Sequence, residues 1–181
     1  MFSPAMPAGV TRSIEGSEHL MRRAIFAMIP LMASAAPVAA QTETSVTLVG
    51  GAVQYDLSGT GTTPFIAARV EVVPASARFV VAEAGLEFVS YEPQFGERRH
   101  HWIPEAMVQL QVPAESFRPY LGVGIGYSYA STDSAPTLAV AGGTRLRLTA
   151  DWGLRAELRV RSIDPWTGST ADWGFGISRR F

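Results

Sequence analysis

Leu154, Ala156, Leu158 and Val160 interleave with Arg155, Glu157, Arg159 and Arg161. Successive side chains of a β-strand point to opposite faces, so this stretch predicts a strand with one aliphatic and one charged face. The same two-residue period recurs along the chain. Val80, Ala82, Ala84, Leu86 and Phe88 oppose Glu83 and Glu87, and Leu121, Val123, Ile125 and Tyr127 oppose Gly122, Gly124, Gly126 and Ser128. Leu138, Val140, Leu146 and Leu148 oppose Arg145 and Arg147, and Trp173, Phe175, Ile177 and Phe181 oppose Asp172, Ser178 and Arg180. Arg179 breaks the rule, and the first strand, with Gly50-Gly51, leaves its inner face undecided. No long helical period follows Gln41, and the pattern predicts strands at about 45–57, 64–74, 78–91, 100–112, 117–130, 137–149, 154–163 and 170–181.

The connections alternate in character. Pro74-Ala75-Ser76, Pro113-Ala114-Glu115 and Ala150-Asp151-Trp152-Gly153 read as compact turns, whereas 58–63, 92–99, 131–136 and 164–169 read as looser loops. Each strand is long enough to cross a thin outer membrane at a tilt, which takes roughly 9–11 residues. An even number of amphipathic strands with alternating short and long connections predicts an all-β, eight-stranded antiparallel transmembrane barrel. Tyr91, Trp102, Tyr127, Tyr129, Trp166 and Trp173 fall towards the loop rim, and Phe79, Phe117, Trp152 and Phe181 towards the turn rim, as two aromatic girdles. Pro104 and Pro119 are expected near strand ends, where a missing ladder donor is tolerated best. A soluble barrel or sandwich is the competing reading. It must bury the aliphatic faces between sheets and solvate the arginines in every strand.

The stretch before the strands supports export. Arg22 and Arg23 precede the apolar run Ala24–Ala36, and Val38-Ala39-Ala40 forms a small-residue cleavage site before Gln41. Residues 21–40 thus read as a signal peptide, residues 1–20 as a gene-model extension ahead of a true start at Met21, and 41–181 as the barrel. Recovery of a peptide spanning Met1–Arg12 from cells would remove the gene-model reading. The expected location is the outer membrane, with both termini periplasmic.

Composition changes this picture little. The formal charge of the 181 residues is −1, which points away from nucleic acid. All 15 basic residues are arginine, a side chain suited to buried bidentate pairing with carboxylates, although high-GC codon usage favours it equally. The chain has no cysteine, so disulfide and thiolate chemistry are excluded.

The segment 117–127, Phe-Arg-Pro-Tyr-Leu-Gly-Val-Gly-Ile-Gly-Tyr, and the closing 173–181, Trp-Gly-Phe-Gly-Ile-Ser-Arg-Arg-Phe, resemble the small eight-stranded outer-membrane barrels. These are the OmpA transmembrane-domain, OmpX-like and OmpW-like group, and the resemblance spans about Gln41 to Phe181. It implies that Trp173, Phe175, Ile177 and Phe181 form the signal read by the barrel-assembly machinery, with Arg179 where an apolar residue is usual. It also implies contact with outer-membrane lipid and lipopolysaccharide, and a monomeric state.

Parity sends Arg69, Glu71, Glu83, Glu87, Glu105, Gln109, Gln111, Arg118, Arg145, Arg147, Arg155, Glu157, Arg159, Arg161, Asp172 and Arg180 inward. Acids concentrate on strands two to four and arginines on six to eight, so the walls are expected to pair across the lumen. An eight-stranded barrel is filled by its own side chains, which favours a structural plug over a narrow charged pore. Gly122, Gly124 and Gly126 are expected to make room for the long side chains opposite. The OmpW-like resemblance adds a further alternative, lateral release of small apolar solutes.

Other chemistry is weakly signalled. The glycine run is not a dinucleotide fingerprint, because Tyr127 occupies the third-glycine position and no helix follows. Adjacent His100 and His101 point to opposite faces, so with Glu97 and Glu105 they are not expected to share a metal. No cofactor is expected. A membrane-rim hydrolase or acyltransferase would draw on Ser90, Glu92 and His100 or His101, but no spacing favours a triad, and the expectation is a non-enzymatic protein. Arg98-Arg99-His100 at a loop tip suits lipopolysaccharide phosphates.

Overall fold

The computed structural model describes residues 42–55, 61–91, 99–130, 134–163 and 168–181. The expected extension and signal peptide, residues 1–40, lie outside this set, as do most of the looser loops and Trp166. The strands are β1 (Thr42–Tyr55), β2 (Gly61–Pro74), β3 (Val80–Tyr91), β4 (Arg99–Gln111), β5 (Phe117–Ala130), β6 (Ala135–Arg147), β7 (Trp152–Ile163) and β8 (Gly168–Arg180). They form a closed antiparallel barrel in chain order, with β8 returning to β1. Closure leaves no sheet edge, the condition for β structure inside hydrocarbon.

The β1–β8 seam is fully laddered from Ser45↔Arg180 to Tyr55↔Thr170. Beyond its end the Phe181 amide donates to the Thr44 carbonyl at 2.9 Å, and the Arg180 amide to the Asp151 carbonyl at 2.8 Å. A short 3-10 turn, Ala75–Ala77, joins β2 to β3. Expected and observed strands agree to within one residue at half of their ends and differ by two or three at the rest, mainly because pairing starts before the first alternating apolar position.

The barrel is inside-out relative to a water-soluble one. Phe175 is 75% exposed, whereas Arg155 and Arg161 are each 1% exposed. Leu48, Ile66, Leu121, Val123 and Ile125 are likewise exposed, so the outer surface is a continuous apolar band. Such a band is unfavourable in water and stable against lipid hydrocarbon. The first strand also resolves. Ser45, Thr47, Val49 and Val53 point inward and Val46 and Leu48 outward.

Two expectations need correction. Pro104 sits in the middle of β4, not near its end. The β4–β5 ladder runs through His101↔Ala130 and Trp102↔Tyr129, then resumes only at Glu105↔Gly126. Proline has no N–H to donate, which accounts for a gap at this position. Trp173 pairs with Ala52 and Leu158, placing it within the apolar band and below the loop-side girdle.

Candidate functional site

The lumen is the site that the fold constructs. Its centre is a chain of arginine–carboxylate pairs crossing from β6–β7 to β2–β4. Arg155 Nη1 lies 2.6 Å from Glu83 Oε2 and also bonds Glu71. Arg159 Nη2 lies 2.7 Å from Glu83 Oε1, and its Nη1 meets Glu105. Arg161 grips Glu87 with both terminal nitrogens, at 2.9 and 2.8 Å, reaches Glu105 through Nε at 2.9 Å, and bonds Asp172. Arg145 binds Glu71 at 2.7 Å.

One pair runs the other way. Arg69 stands on the acidic wall and bonds Glu157 on the basic wall, with Glu87 3.4 Å away on its own side. Arg69, Arg155, Arg159 and Arg161 are all at most 2% exposed, as are the Glu87 and Asp172 residues they meet. Burial of that many charges is tolerable only because each guanidinium faces more than one carboxylate.

Tyr120 joins the network, a role that alternation alone does not assign. Its hydroxyl donates to Glu157 Oε2 at 2.6 Å and accepts from Arg155 Nε at 2.8 Å. The Arg145 guanidinium carbon lies 4.0 Å from the centre of its ring, close enough for a cation–π contact. Gly143, opposite Tyr120 in the β5–β6 register, makes room for it. A Cβ there would come within 2.7 Å of the Tyr120 hydroxyl. Gln109 adds a neutral bridge, donating to Glu83 at 2.8 Å and accepting from Arg145.

Not every inward position joins the central network. Arg118 and Arg180 lie at the turn end, 3.4 and 3.3 Å from Glu43, a partly exposed partner that the sequence pattern did not single out. Arg147 is exposed at the same rim and donates from Nε to the Thr149 carbonyl at 3.1 Å, so it is a rim residue and not part of the lumen set. These side chains border a crevice of about 40 Å³, room for only a few water molecules. The role expected of the glycine wall also changes. Gly122 lies under the neighbouring Gln109 and Gly124 under Met107, both on β4, so the wall accommodates adjacent side chains and not the arginines opposite.

Nearer the loops the charges give way to hydrocarbon. Val49, Val53, Phe65, Ala67, Val89 and Ile103 pack together on the β1–β4 side. The Phe65 ring fits because Gly51 and Gly174 lie beneath it, where a Cβ would come within 2.9 and 2.8 Å. An apolar residue at an inward position looks the same in sequence as one at an outward position of an ambiguous strand, so this cluster was missed.

The histidine readings separate in space. Ser90 pairs in register with His100, whose ring stacks on Phe88 with centroids 5.7 Å apart. His101 is on the opposite face, with Nδ1 3.1 Å from Ser128 Oγ, and Ser128 is 2% exposed. Glu105 is engaged with Arg159 and Arg161. Glu92, Glu97 and Arg98 lie outside the described residues, and among those described no cluster of histidine and acidic side chains is placed to hold a metal ion.

No protein-family model matches the sequence, and no curated protein matches it either. Solved structures do. Neisserial surface protein A aligns with a TM-score of 0.63 at 12% identity, over 77% of this chain and 97% of that one. Ail, the attachment invasion locus protein of Yersinia pestis, aligns with a TM-score of 0.59 at 13% identity, over 78% and 99%. The N-terminal β-barrel domain of Pseudomonas aeruginosa OprF gives 0.53 at 14% identity, over 78% and 100%. The chain therefore has the fold of the small eight-stranded outer-membrane β-barrels.

Proposed function

We propose that this protein is an outer-membrane barrel with a structural or interactive role, and that its lumen is sealed. The observation that supports this reading is the filling of the interior, by cross-lumen ion pairs in the middle and by the Phe65 cluster on the β1–β4 side towards the loops. A solute passing through would have to part arginines from carboxylates that are held away from water, and breaking one such buried pair costs about 3–5 kcal/mol. The role is read as non-enzymatic: Ser128, whose hydroxyl lies 3.1 Å from His101 Nδ1, is buried away from substrate. Serine-reactive probe labelling that depends on His101 would overturn that part.

The deciding experiment is conductance of the purified, refolded protein in a planar bilayer. The sealed barrel gives no steps although insertion is shown independently by its heat-modifiable migration on a gel. Discrete steps that vanish on heat denaturation would replace the plug with a pore.

The gap in the β4–β5 ladder supports a second reading, lateral release of small apolar solutes. It places Ile103, a member of the loop-side apolar cluster, beside an unlinked stretch of wall. Disulfide closure of that gap through a paired cysteine variant would abolish apolar-solute uptake under this reading and leave it unchanged under the first.

A further inference from the structure

Arg179 is the outward-facing cation of β8, and its surroundings form a groove on the outer wall. On either side it pairs in register with Val46 of β1 and Trp152 of β7. Its guanidinium carbon lies 5.8 Å from the Trp152 ring centre and 5.3 Å from that of Phe181. No carboxylate is paired with it among the described residues. Two residues along β8, Ile177 forms the floor, flanked by Leu48 and Leu154. Two further on, Phe175 stands up as an end wall because its cross-strand neighbours are Gly50 and Ala156. The groove between these walls measures about 660 Å³.

We propose that this groove is a binding site for one anionic glycerophospholipid. The inference rests on the membrane-spanning reading above. An unpaired guanidinium presents a fork of N–H donors that matches a phosphate, and here it stands at the turn rim, the level of a lipid headgroup. From Arg179 to Phe175 the strand rises about 13 Å, the scale of an acyl-chain segment laid along Ile177. Trp152 and Phe181 flank the headgroup end, as aromatic side chains do at a bilayer interface. Arg179, the departure from the usual closing pattern, is thereby given a purpose, since a headgroup charge offsets its cost in an apolar face. Charge complementarity selects the occupant. A second copy docking symmetrically would bring two arginines together, and a neutral lipid headgroup would leave the guanidinium without net compensation.

Native mass spectrometry of the detergent-purified protein tests this, with phosphatidylglycerol and phosphatidylcholine of identical acyl chains as probes. The wild type retains phosphatidylglycerol in preference, and Arg179→Gln weakens that retention about fivefold, the loss expected for one basic side chain at an anionic lipid surface. Arg78→Gln removes another exposed arginine, from the β2–β3 turn at the same end, and leaves the preference intact. Equal retention of the two lipids by the wild type overturns the proposal, and that comparison stands even if Arg179→Gln does not fold. Equal losses in the two variants also overturn it, by reducing the effect to general surface charge. A concentration-dependent dimer without lipid preference assigns the groove to a second copy. Failure of the membrane reading itself looks different: the protein stays soluble without detergent and retains neither lipid.

Discussion

Glu83 is, with Glu157, one of the two most heavily shared carboxylates of the lumen. It meets Arg155 at 2.6 Å, Arg159 at 2.7 Å and Gln109 at 2.8 Å, with Arg69 at 3.7 Å. Its replacement by alanine takes one buried carboxylate from Arg155 and from Arg159 at once. Each guanidinium keeps other carboxylates, so Glu83→Ala is expected to destabilise the barrel by about 3 kcal/mol, the low end for breaking a buried pair. Urea titration of the folded fraction in lipid or detergent measures this, and an unchanged midpoint would mean that the residue faces solvent. Glu43 serves as the contrast, because its longer contacts to Arg118 and Arg180 are partly exposed. Glu43→Ala should shift the same midpoint by less than about 1 kcal/mol. Tyr120→Phe deletes the hydroxyl between Arg155 and Glu157 and keeps the ring under Arg145. It strands the buried Arg155 Nε donor, while Glu157 Oε2 keeps its arginine partners, for a loss of about 1–3 kcal/mol.

Among the strands, β4 departs furthest from a regular ladder. Pro104 interrupts pairing with β5 over two residues, while the ladder to β3 continues through Leu86↔Pro104. The backbone amide of Tyr127, which faces the gap, should therefore exchange with solvent deuterium faster than those of Val123 and Ile125, which face β4 in the continuous part of the same strand. Pro104→Ala restores a donor and is expected to slow that exchange. Equal protection along β5 in the wild type would show that the gap does not open. The girdles are also an element-scale feature. Phe79, Phe117, Trp152 and Phe181 are exposed around the turn end, and Trp102 and Tyr127 stand out nearer the loops, with Tyr127 against Tyr129 at 4.7 Å.

For the molecule as a whole, strand number, strand order and which face meets lipid were legible in the sequence. The physical reason is that a two-residue period fixes every side chain's face once its neighbours are assigned, and one misregister would turn a whole charged row into hydrocarbon. The same parity placed Arg69, Glu83, Arg155, Arg159 and Arg161 inside, because charges on an otherwise aliphatic strand have no other face to occupy. Which carboxylate each arginine grips was not legible. Arg69 reaches Glu157 88 positions away, and Tyr120 enters the network only because Gly143 lies across from it. Those pairings depend on strand stagger, ring size and the bulk of the residue opposite, quantities that exist only after the barrel closes. The Phe65 cluster was hidden for a related reason: inward and outward valines read alike in β1 until its ladders to β2 and β8 set the register. Alternation along the chain thus determined a barrel with charges inside and an apolar exterior. Closure of the sheet decided that the charges meet one another across the lumen, that hydrocarbon lines the β1–β4 wall towards the loops, and that Arg179 is left outside beside Trp152 and Phe181.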